Sequence, residues 1–163
     1  MKDKVTNVII AGLGGQGVLK ASDILAEVAF RAGLDVKKSE VHGMSQRGGA
    51  VASDVRFGTR VLSPMVPPGE ADCLVVLTPD QVPVNIRQLR AGGVLIEPGL
   101  LPEGSLANKR CLNVALLGAL STHLEFSEED WQSAIRANLA EKLHEINILA
   151  FAAGREAVEG RTE

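Results

Sequence analysis

The 163-residue sequence lacks the features that mark several common functions. It has only two cysteines, Cys73 and Cys111, whereas an iron–sulfur cluster within one chain typically needs about four sulfur ligands. The formal net charge of −3 provides no basic field for nucleic acid or an anionic membrane. No apolar run reaches the roughly 18 residues of a membrane helix, and the N-terminus does not resemble a signal peptide. We therefore expect a cytoplasmic protein that holds no cluster and has neither nucleic acid nor a membrane as a partner.

The hydrophobic pattern predicts a single α/β domain over residues 1–163. Val5 to Ala11 is a β-branched run typical of a buried parallel strand. From Val18 to Ala32 the apolar residues recur at helical spacing, and Gly33 supplies a helix stop. With a second strand at Val36 to Val41, this favours a Rossmann-like, three-layer domain with a mostly parallel sheet.

An antiparallel hairpin is expected next. Ala50 to Phe57 reads as a strand, Gly58-Thr59 as a two-residue turn, and Arg60 to Ser63 as the partner strand. Asp54 and Arg56 alternate with the apolar face, so we expect them to be solvated.

Downstream segments predict, in order, a buried strand, a helix, a short strand and three C-terminal helices. These lie at Ala71 to Leu77, from Pro79 to just before Gly92-Gly93, at Val94 to Ile96, and from Asn113 onward. Ser127, with Asp130 three residues later, resembles a helix N-cap.

A glycine-rich loop joins the first strand to the first helix. Gly12-Leu-Gly14-Gly-Gln-Gly17 matches G-x-G-x-x-G, in which the glycines allow a tight turn, close approach of a phosphate and helix–strand packing. The following helix offers unpaired N–H groups to an anion. The binding residues predicted here are Gly12, Gly14, Gly15, Gln16 and Gly17. The alternative is a tight turn that holds no ligand.

Several nucleotides could suit such a loop. An NAD site needs an acid at the end of the second strand, and Glu40 lies in that region, although it follows Lys37-Lys38-Ser39. A stand-alone NAD-binding oxidoreductase or sensor therefore remains an alternative. The Gly14-Gly15 pair also resembles the ATP loop of ubiquitin-activating-like adenylating enzymes, but their downstream residues are not found.

A second polar loop, His42-Gly-Met-Ser-Gln-Arg-Gly-Gly49, supplies further candidates. Arg47 can contact a phosphate or a carboxylate in bidentate fashion, and His42 can titrate near neutral pH. We add Ser45 and Arg47 to the predicted binding residues; Gln46 and His42 are further polar candidates. The alternative for each is a role in the loop's own structure.

Taken in order, five segments resemble one family. They are the glycine loop, the His42–Gly49 loop, Ser63-Pro64, Glu70-Ala-Asp72 and Asn147 to Gly154. The sequence is similar to the gamma-type subunits of 2-oxoacid:ferredoxin oxidoreductases, and its His42–Gly49 loop is most similar to the small (beta) subunit of indolepyruvate ferredoxin oxidoreductases. It departs from them at Leu100 to Leu112, where relatives have a longer stretch with an extra strand.

The resemblance implies a function within a complex. In such enzymes thiamine diphosphate and iron–sulfur clusters sit on partner subunits, electrons leave to ferredoxin, and the acyl group passes to coenzyme A. The gamma-type domain resembles the part that closes over coenzyme A, so the glycine loop is expected to cradle its diphosphate. We expect no catalytic residue and no metal in this chain, which would be inactive alone and could form a homodimer in isolation.

Overall fold

The computed structural model of the chain describes residues 4–43 and 48–161 as five strands and five helices joined by loops and 3-10 turns. The strands are β1 (Thr6–Leu13), β2 (Asp35–His42), β3 (Ala50–Gly58), β4 (Ala71–Val76) and β5 (Leu89–Ile96). The helices are α1 (Val18–Arg31), α2 (Val82–Asn85), α3 (Leu112–Ser121), α4 (Glu128–Asn138) and α5 (His144–Glu159). Within these described ranges, no helix has both the length and the apolarity to cross a membrane.

The five strands form one sheet in the order β2-β3-β1-β4-β5. β1 pairs parallel with β4, and β4 pairs parallel with β5. β3 is antiparallel to both of its neighbours, β1 and β2. Four strands therefore share one direction and only β3 is reversed. The predicted α/β class, with a mostly parallel sheet and an added antiparallel hairpin, is confirmed.

The hairpin itself uses a different partner strand from the one expected. β3 pairs with β2 over its whole length, from Asp35 opposite Gly58 to His42 opposite Val51. It does not pair with residues 60–63, which are not part of a strand. The prediction from the Gly58-Thr59 turn signal was wrong because β3 gains two full-length neighbours in the sheet, more backbone pairing than a four-residue ribbon could offer.

Residues 59–69 instead leave the sheet. They are held against it by Asp54 and Arg56, the two side chains that we expected to be solvated. A carboxylate oxygen of Asp54 accepts from the Val66 N–H at 2.9 Å. The Arg56 guanidinium donates to the carbonyls of Ser63 and Met65 at 2.8 and 3.2 Å. The expectation for Asp54 and Arg56 was therefore also wrong: they fasten this segment.

The helix expected between Pro79 and Gly92 is largely replaced by other structure. Only Val82–Asn85 is α-helical, with 3-10 turns at Pro79–Gln81 and Ile86–Gln88. β5 starts at Leu89 and includes the glycine pair. Gly92 has a positive φ of 74°, and the pairing of β5 with β4 shifts register there. The glycines thus form a bulge within a strand and do not end a helix.

Two predicted helix ends are confirmed. α1 ends at Arg31 and is followed by Gly33 at a φ of 86°. The Ser127 hydroxyl caps α4 by accepting from the Asp130 N–H at 3.0 Å. These local signals were sufficient because each satisfies a backbone group that a helix terminus leaves unpaired.

The main core lies between one face of the sheet and helices α1, α3, α4 and α5. It contains an aromatic chain in which ring centroids are 5.3 to 6.2 Å apart, formed by Phe57, Phe126, Trp131 and Phe151. The other face carries a smaller cluster around Ile9, Leu74 and Val76, covered by Val66 and the short α2 region. The third layer is therefore thin, and the four longer helices share one side.

Candidate functional site

The glycine loop lies where β1 ends and α1 begins. Its turn is closed by the Gln16 N–H, which donates to the Leu13 carbonyl at 3.2 Å. Gly15 and Gly17 adopt the left-handed conformation, with φ of 89° and 85°. Because residues with a Cβ rarely adopt this conformation, the loop favours glycine at both positions.

Gly12 and Gly17 are required for packing. A Cβ on Gly12 would lie 2.8 Å from Oε1 of Gln16 and 3.1 Å from Cβ of Leu77. A Cβ on Gly17 would lie 3.1 Å from Cγ of Asn113 and closer still to its Nδ2. Neighbouring atoms occupy the space that a side chain would need at both positions, so no larger residue fits there.

Gly15 is exposed and differs from the other loop glycines because it faces open space. A Cβ placed on it would meet nothing within 4 Å. The neighbouring Gly14 N–H donates to the Gly49 carbonyl at 2.9 Å. The amides of Gly15, Gly17, Val18 and Leu19 have no acceptor among the described residues, and no side chain caps α1. These four amides form a potential anion cradle at the start of a helix.

Gln16 fastens the loop to the rest of the sheet. Its Oε1 accepts from the Leu13 N–H at 2.8 Å, and its Nε2 donates to the hydroxyl of Thr78, just beyond β4. Both polar ends of the side chain are thus engaged within the protein. That Gln16 also touches a ligand stays a prediction.

Asn113, in the first turn of α3, is a part of the site that the sequence did not reveal. Its Nδ2 donates to the Gly17 carbonyl at 3.2 Å, and its side chain is buried, with 8% of the residue exposed. The contact joins residues 96 positions apart, so no local sequence pattern could have indicated it.

The two polar loops predicted from the sequence converge. The β2–β3 hairpin brings Gly48 and Gly49 to the glycine loop; a Cβ on Gly14 would lie 3.3 Å from the Gly48 nitrogen. The Gly43 N–H donates to the Ala50 carbonyl at 2.6 Å, which closes the described part of the hairpin. Ser45, Gln46 and Arg47 lie outside the described residues.

A cleft of about 460 Å³ opens between the glycine loop and the hairpin. Its lining includes apolar side chains, Leu13, Val18, Leu19 and Val51, and the backbone of Gly14, Gly15 and Gly17. The polar side chains in this described lining are Lys20 and His42. A cleft with backbone donors, a cation and apolar walls suits an anionic group attached to an uncharged organic moiety.

Glu40 does not occupy the position of an NAD-binding acid. In the dinucleotide fold the second strand lies beside the first, whereas here β3 separates β2 from β1. The Glu40 carboxylate lies 3.5 Å from Nζ of Lys38, which also pairs with Asp23. The strand order and this ion pair argue against a ribose contact.

The two cysteines are both buried and are not disulfide-bonded. Burial, with a smaller contribution from the Asp72 charge, raises the pKa of the Cys73 thiol to about 11. Burial also raises the pKa of Cys111. A raised pKa disfavours the thiolate that metal binding requires. Among residues 4–43 and 48–161, no group of three or more His, Cys, Asp and Glu side chains could hold a metal ion.

A larger cavity, of about 740 Å³, lies at the opposite end of the strands. Its charged lining includes Arg90 and Asp72, but these pair with each other at 2.8 Å. It contains neither of the two polar loops. The smaller cleft is therefore the candidate site.

Comparison with known proteins adds independent findings. The model of the Pyruvate ferredoxin/flavodoxin oxidoreductase family matches residues 7–102 and 99–157. Indolepyruvate oxidoreductase subunit IorB of Thermococcus kodakarensis is 34% identical, with 96% of this chain and 97% of that protein covered. The IorB subunit of Pyrococcus horikoshii is 32% identical over the same shares.

Solved structures agree with the sequence matches. The gamma subunit of a keto/oxoacid ferredoxin oxidoreductase from Geobacter sulfurreducens is 26% identical, with a TM-score of 0.80 and 95% and 99% of the two chains covered. A 2-oxoglutarate:ferredoxin oxidoreductase from Magnetococcus marinus, solved with coenzyme A bound, has the same fold at 21% identity and a TM-score of 0.81. There the match covers 96% of this chain and 31% of the other.

The comparisons also show a difference in length between this chain and its relatives. The family match divides into two segments that meet at residues 99–102. The alignment with the Thermococcus protein extends over 196 positions, more than the 163 residues of this chain. That protein therefore contains residues without a counterpart here; that they fall at the Leu100–Leu112 stretch stays a prediction.

Proposed function

We propose a function for the glycine loop on the premise that the chain belongs to the pyruvate ferredoxin/flavodoxin oxidoreductase family and is a subunit of a 2-oxoacid:ferredoxin oxidoreductase. In this function the loop holds the diphosphate of coenzyme A. The observation that carries the proposal is the set of free amides at Gly15, Gly17, Val18 and Leu19 at the base of an open cleft. A diphosphate is the part of coenzyme A that such donors suit.

The rest of the cleft fits the same ligand. Lys20 brings a positive charge to the lining, which would balance part of the diphosphate charge. Leu13 and Val51 offer apolar surface to the uncharged parts of the molecule. Gly15 leaves the space above its amide clear, so a phosphate oxygen can approach the backbone.

Ser45 and Arg47 would complete the site from the second loop. Of the described residues on either side of this segment, His42 lines the cleft and Gly48 adjoins the glycine loop. We propose that Arg47 binds a phosphate of coenzyme A in bidentate fashion and that the Ser45 hydroxyl donates to it.

The reaction itself requires other subunits of the complex. Thiamine diphosphate, expected on a partner, supplies the chemistry of decarboxylating the 2-oxoacid, and clusters on a partner carry the electrons to ferredoxin. The buried cysteines support a subunit without a cluster of its own. The similarity to IorB subunits supports indolepyruvate or another aryl pyruvate as the substrate. This chain would contribute coenzyme A binding and assembly.

The test uses the complex co-expressed with its larger subunit, assayed by indolepyruvate- and coenzyme-A-dependent reduction of a viologen dye. Gly15→Asp would place a carboxylate in the cradle, and aspartate tolerates the left-handed conformation better than most residues. We expect the KM for coenzyme A to rise at least about tenfold, because charge repulsion near a protein surface is worth about 1–4 kcal/mol at contact.

Gly33→Asp is the matched control, since Gly33 has nearly the same φ, 86° against 89°, and equally open surroundings. It lies at the other end of α1, so the KM for coenzyme A should not change. An unchanged KM in assembled Gly15→Asp enzyme would refute the cradle. Full activity without this chain would refute its role in turnover.

A further inference from the structure

We propose that Asn113 is a positioning residue of the glycine loop, fixing the peptide after Gly17 so that the Val18 amide points into the cleft. The inference rests on the proposed function of that loop. It concerns a residue on α3, far along the chain from the loop, whose side chain reaches the start of α1.

The orientation of the Asn113 carboxamide is determined by its own surroundings. Its Oδ1 accepts from the Val114 N–H at 2.9 Å, so the amino group is left to face Gly17. Nδ2 then donates to the Gly17 carbonyl at 3.2 Å. With only 8% of the residue exposed, water competes weakly for this hydrogen bond.

Fixing the Gly17 carbonyl also fixes the Val18 amide. The two groups belong to one planar trans peptide and point in opposite directions. The carbonyl accepts from two donors, the Ala21 N–H at 3.0 Å and Asn113. Rotation of this peptide would break both bonds. Asn113 therefore holds the Val18 N–H in the direction opposite to α3.

The absence of a side chain at Gly17 is what allows this contact. Gly17 has φ 85° and ψ 27° and serves as the N-cap of α1, but it has no side chain to cap the helix. A Cβ there would lie 3.1 Å from Cγ of Asn113. Gly17 and Asn113 thus act as a pair: Gly17 leaves space beside its backbone, and the amino group of Asn113 occupies that space as a hydrogen-bond donor.

The variants follow from this geometry. Asn113→Leu keeps a similar volume but removes the donor. Asn113→Asp keeps the shape but sets a carboxylate oxygen against the Gly17 carbonyl, and the repulsion would turn the peptide. Neither change touches a coenzyme A atom directly if Asn113 acts only through Gly17.

The experiment measures turnover of the assembled enzyme with coenzyme A and the apparent affinity for pantetheine, which shares the thiol arm but lacks the nucleotide diphosphate. For Asn113→Leu we expect the KM for coenzyme A to rise about tenfold, comparable to the loss of one hydrogen bond to a charged group. The kcat at saturating coenzyme A and the affinity for pantetheine should stay unchanged. Asn113→Asp should raise the KM further.

A merely structural role would give a different pattern. Parallel changes for coenzyme A and pantetheine, a lowered kcat with constant KM, or failure of both variants to assemble would each overturn the inference. Gly15→Asp in the same assay separates the two proposals. If Gly15→Asp raises the KM and the Asn113 variants do not, only the role of Asn113 fails. If neither changes it, the coenzyme A cradle fails and this inference with it.

Discussion

Substituting Gly154 by alanine tests the packing of α3 against α5, on which the position of the site depends. The two helices meet at Gly118 and Gly154 with their backbones in contact. A Cβ on Gly154 would lie 2.7 Å from the carbonyl carbon of Ala115, nearer still to its oxygen, and 3.0 Å from the Ala119 nitrogen. All these atoms belong to the α3 backbone, so no side-chain rotation can relieve the clash.

The expected effect combines two opposing terms. In the interior of an exposed helix, glycine to alanine stabilises by about 1 kcal/mol. Here the methyl group must force apart two helices, and α3 is buried over nearly its whole length. Overpacking of this kind costs about 1–3 kcal/mol and occasionally more. Because the obstacle is backbone, we expect the upper part of that range and a net loss of about 2 kcal/mol.

Urea unfolding followed by far-ultraviolet circular dichroism measures this loss, and the melting temperature should fall by about 4–8 °C for a chain of this size. Gly160→Ala is the matched control: it follows α5 in an ordinary helical conformation, and a Cβ would lie 3.2 Å from the Glu156 carbonyl oxygen. That control should change stability by less than about 0.5 kcal/mol. A Gly154→Ala protein as stable as the wild type, or more stable, would refute the close contact.

Three further predictions concern two buried hydroxyl groups and the carboxylates of Asp54 and Asp35. Ser53 is fully buried, and its hydroxyl has no hydrogen-bond partner among residues 4–43 and 48–161, so Ser53→Ala should stabilise the protein by about 1 kcal/mol. Ser121→Ala should destabilise it by a similar amount, because the Ser121 hydroxyl donates to the Gly118 carbonyl and accepts from Arg155. If urea unfolding shows that both serine variants change the free energy of unfolding in the same direction, this prediction is contradicted. Burial raises the pKa of Asp54 in the folded protein, so the free energy of unfolding of the wild type should fall as pH rises above the ordinary aspartate pKa. The stability of Asp54→Asn relative to the wild type should therefore increase with pH. The Val61 N–H bond lowers the pKa of Asp35, so Asp35→Asn should lose stability at pH 7 and match the wild type as pH falls below the lowered pKa; pH-independent differences for either variant would contradict the assignment.

Elements with strong local signals were predictable from the sequence. The strand–glycine loop–helix unit, the helix stop at Gly33 and the Ser127 cap are each determined by residues within a few positions. The direction of most strands also followed, because buried β-branched runs such as Ala71–Val76 favour parallel pairing.

Pairing between distant segments was not predictable in the same way. Gly58-Thr59 has the composition of a hairpin turn, yet β3 pairs with β2 and β1 because the sheet as a whole offers more backbone partners. The Gly92-Gly93 pair suggested a helix end but forms a bulge in β5. Local composition indicates that the chain turns or bulges, but not which strand it meets.

The candidate site likewise contains parts that local sequence predicted and parts that depend on contacts between distant segments. The glycine loop and the neighbouring hairpin loop were identified from their sequence, and the structure brings their described parts together. Thr78 and Asn113, which hold Gln16 and Gly17, were missed because each lies more than 60 residues from its partner. Supporting contacts of this kind depend on tertiary structure and leave no local pattern.

The most direct test of the central claim is the structure of the assembled enzyme with coenzyme A bound. We predict that the diphosphate lies within hydrogen-bonding distance of the amides of Gly15, Gly17 and Val18, with the Lys20 side chain beside it. Coenzyme A bound elsewhere in the complex, with no phosphate at the glycine loop, would contradict the account.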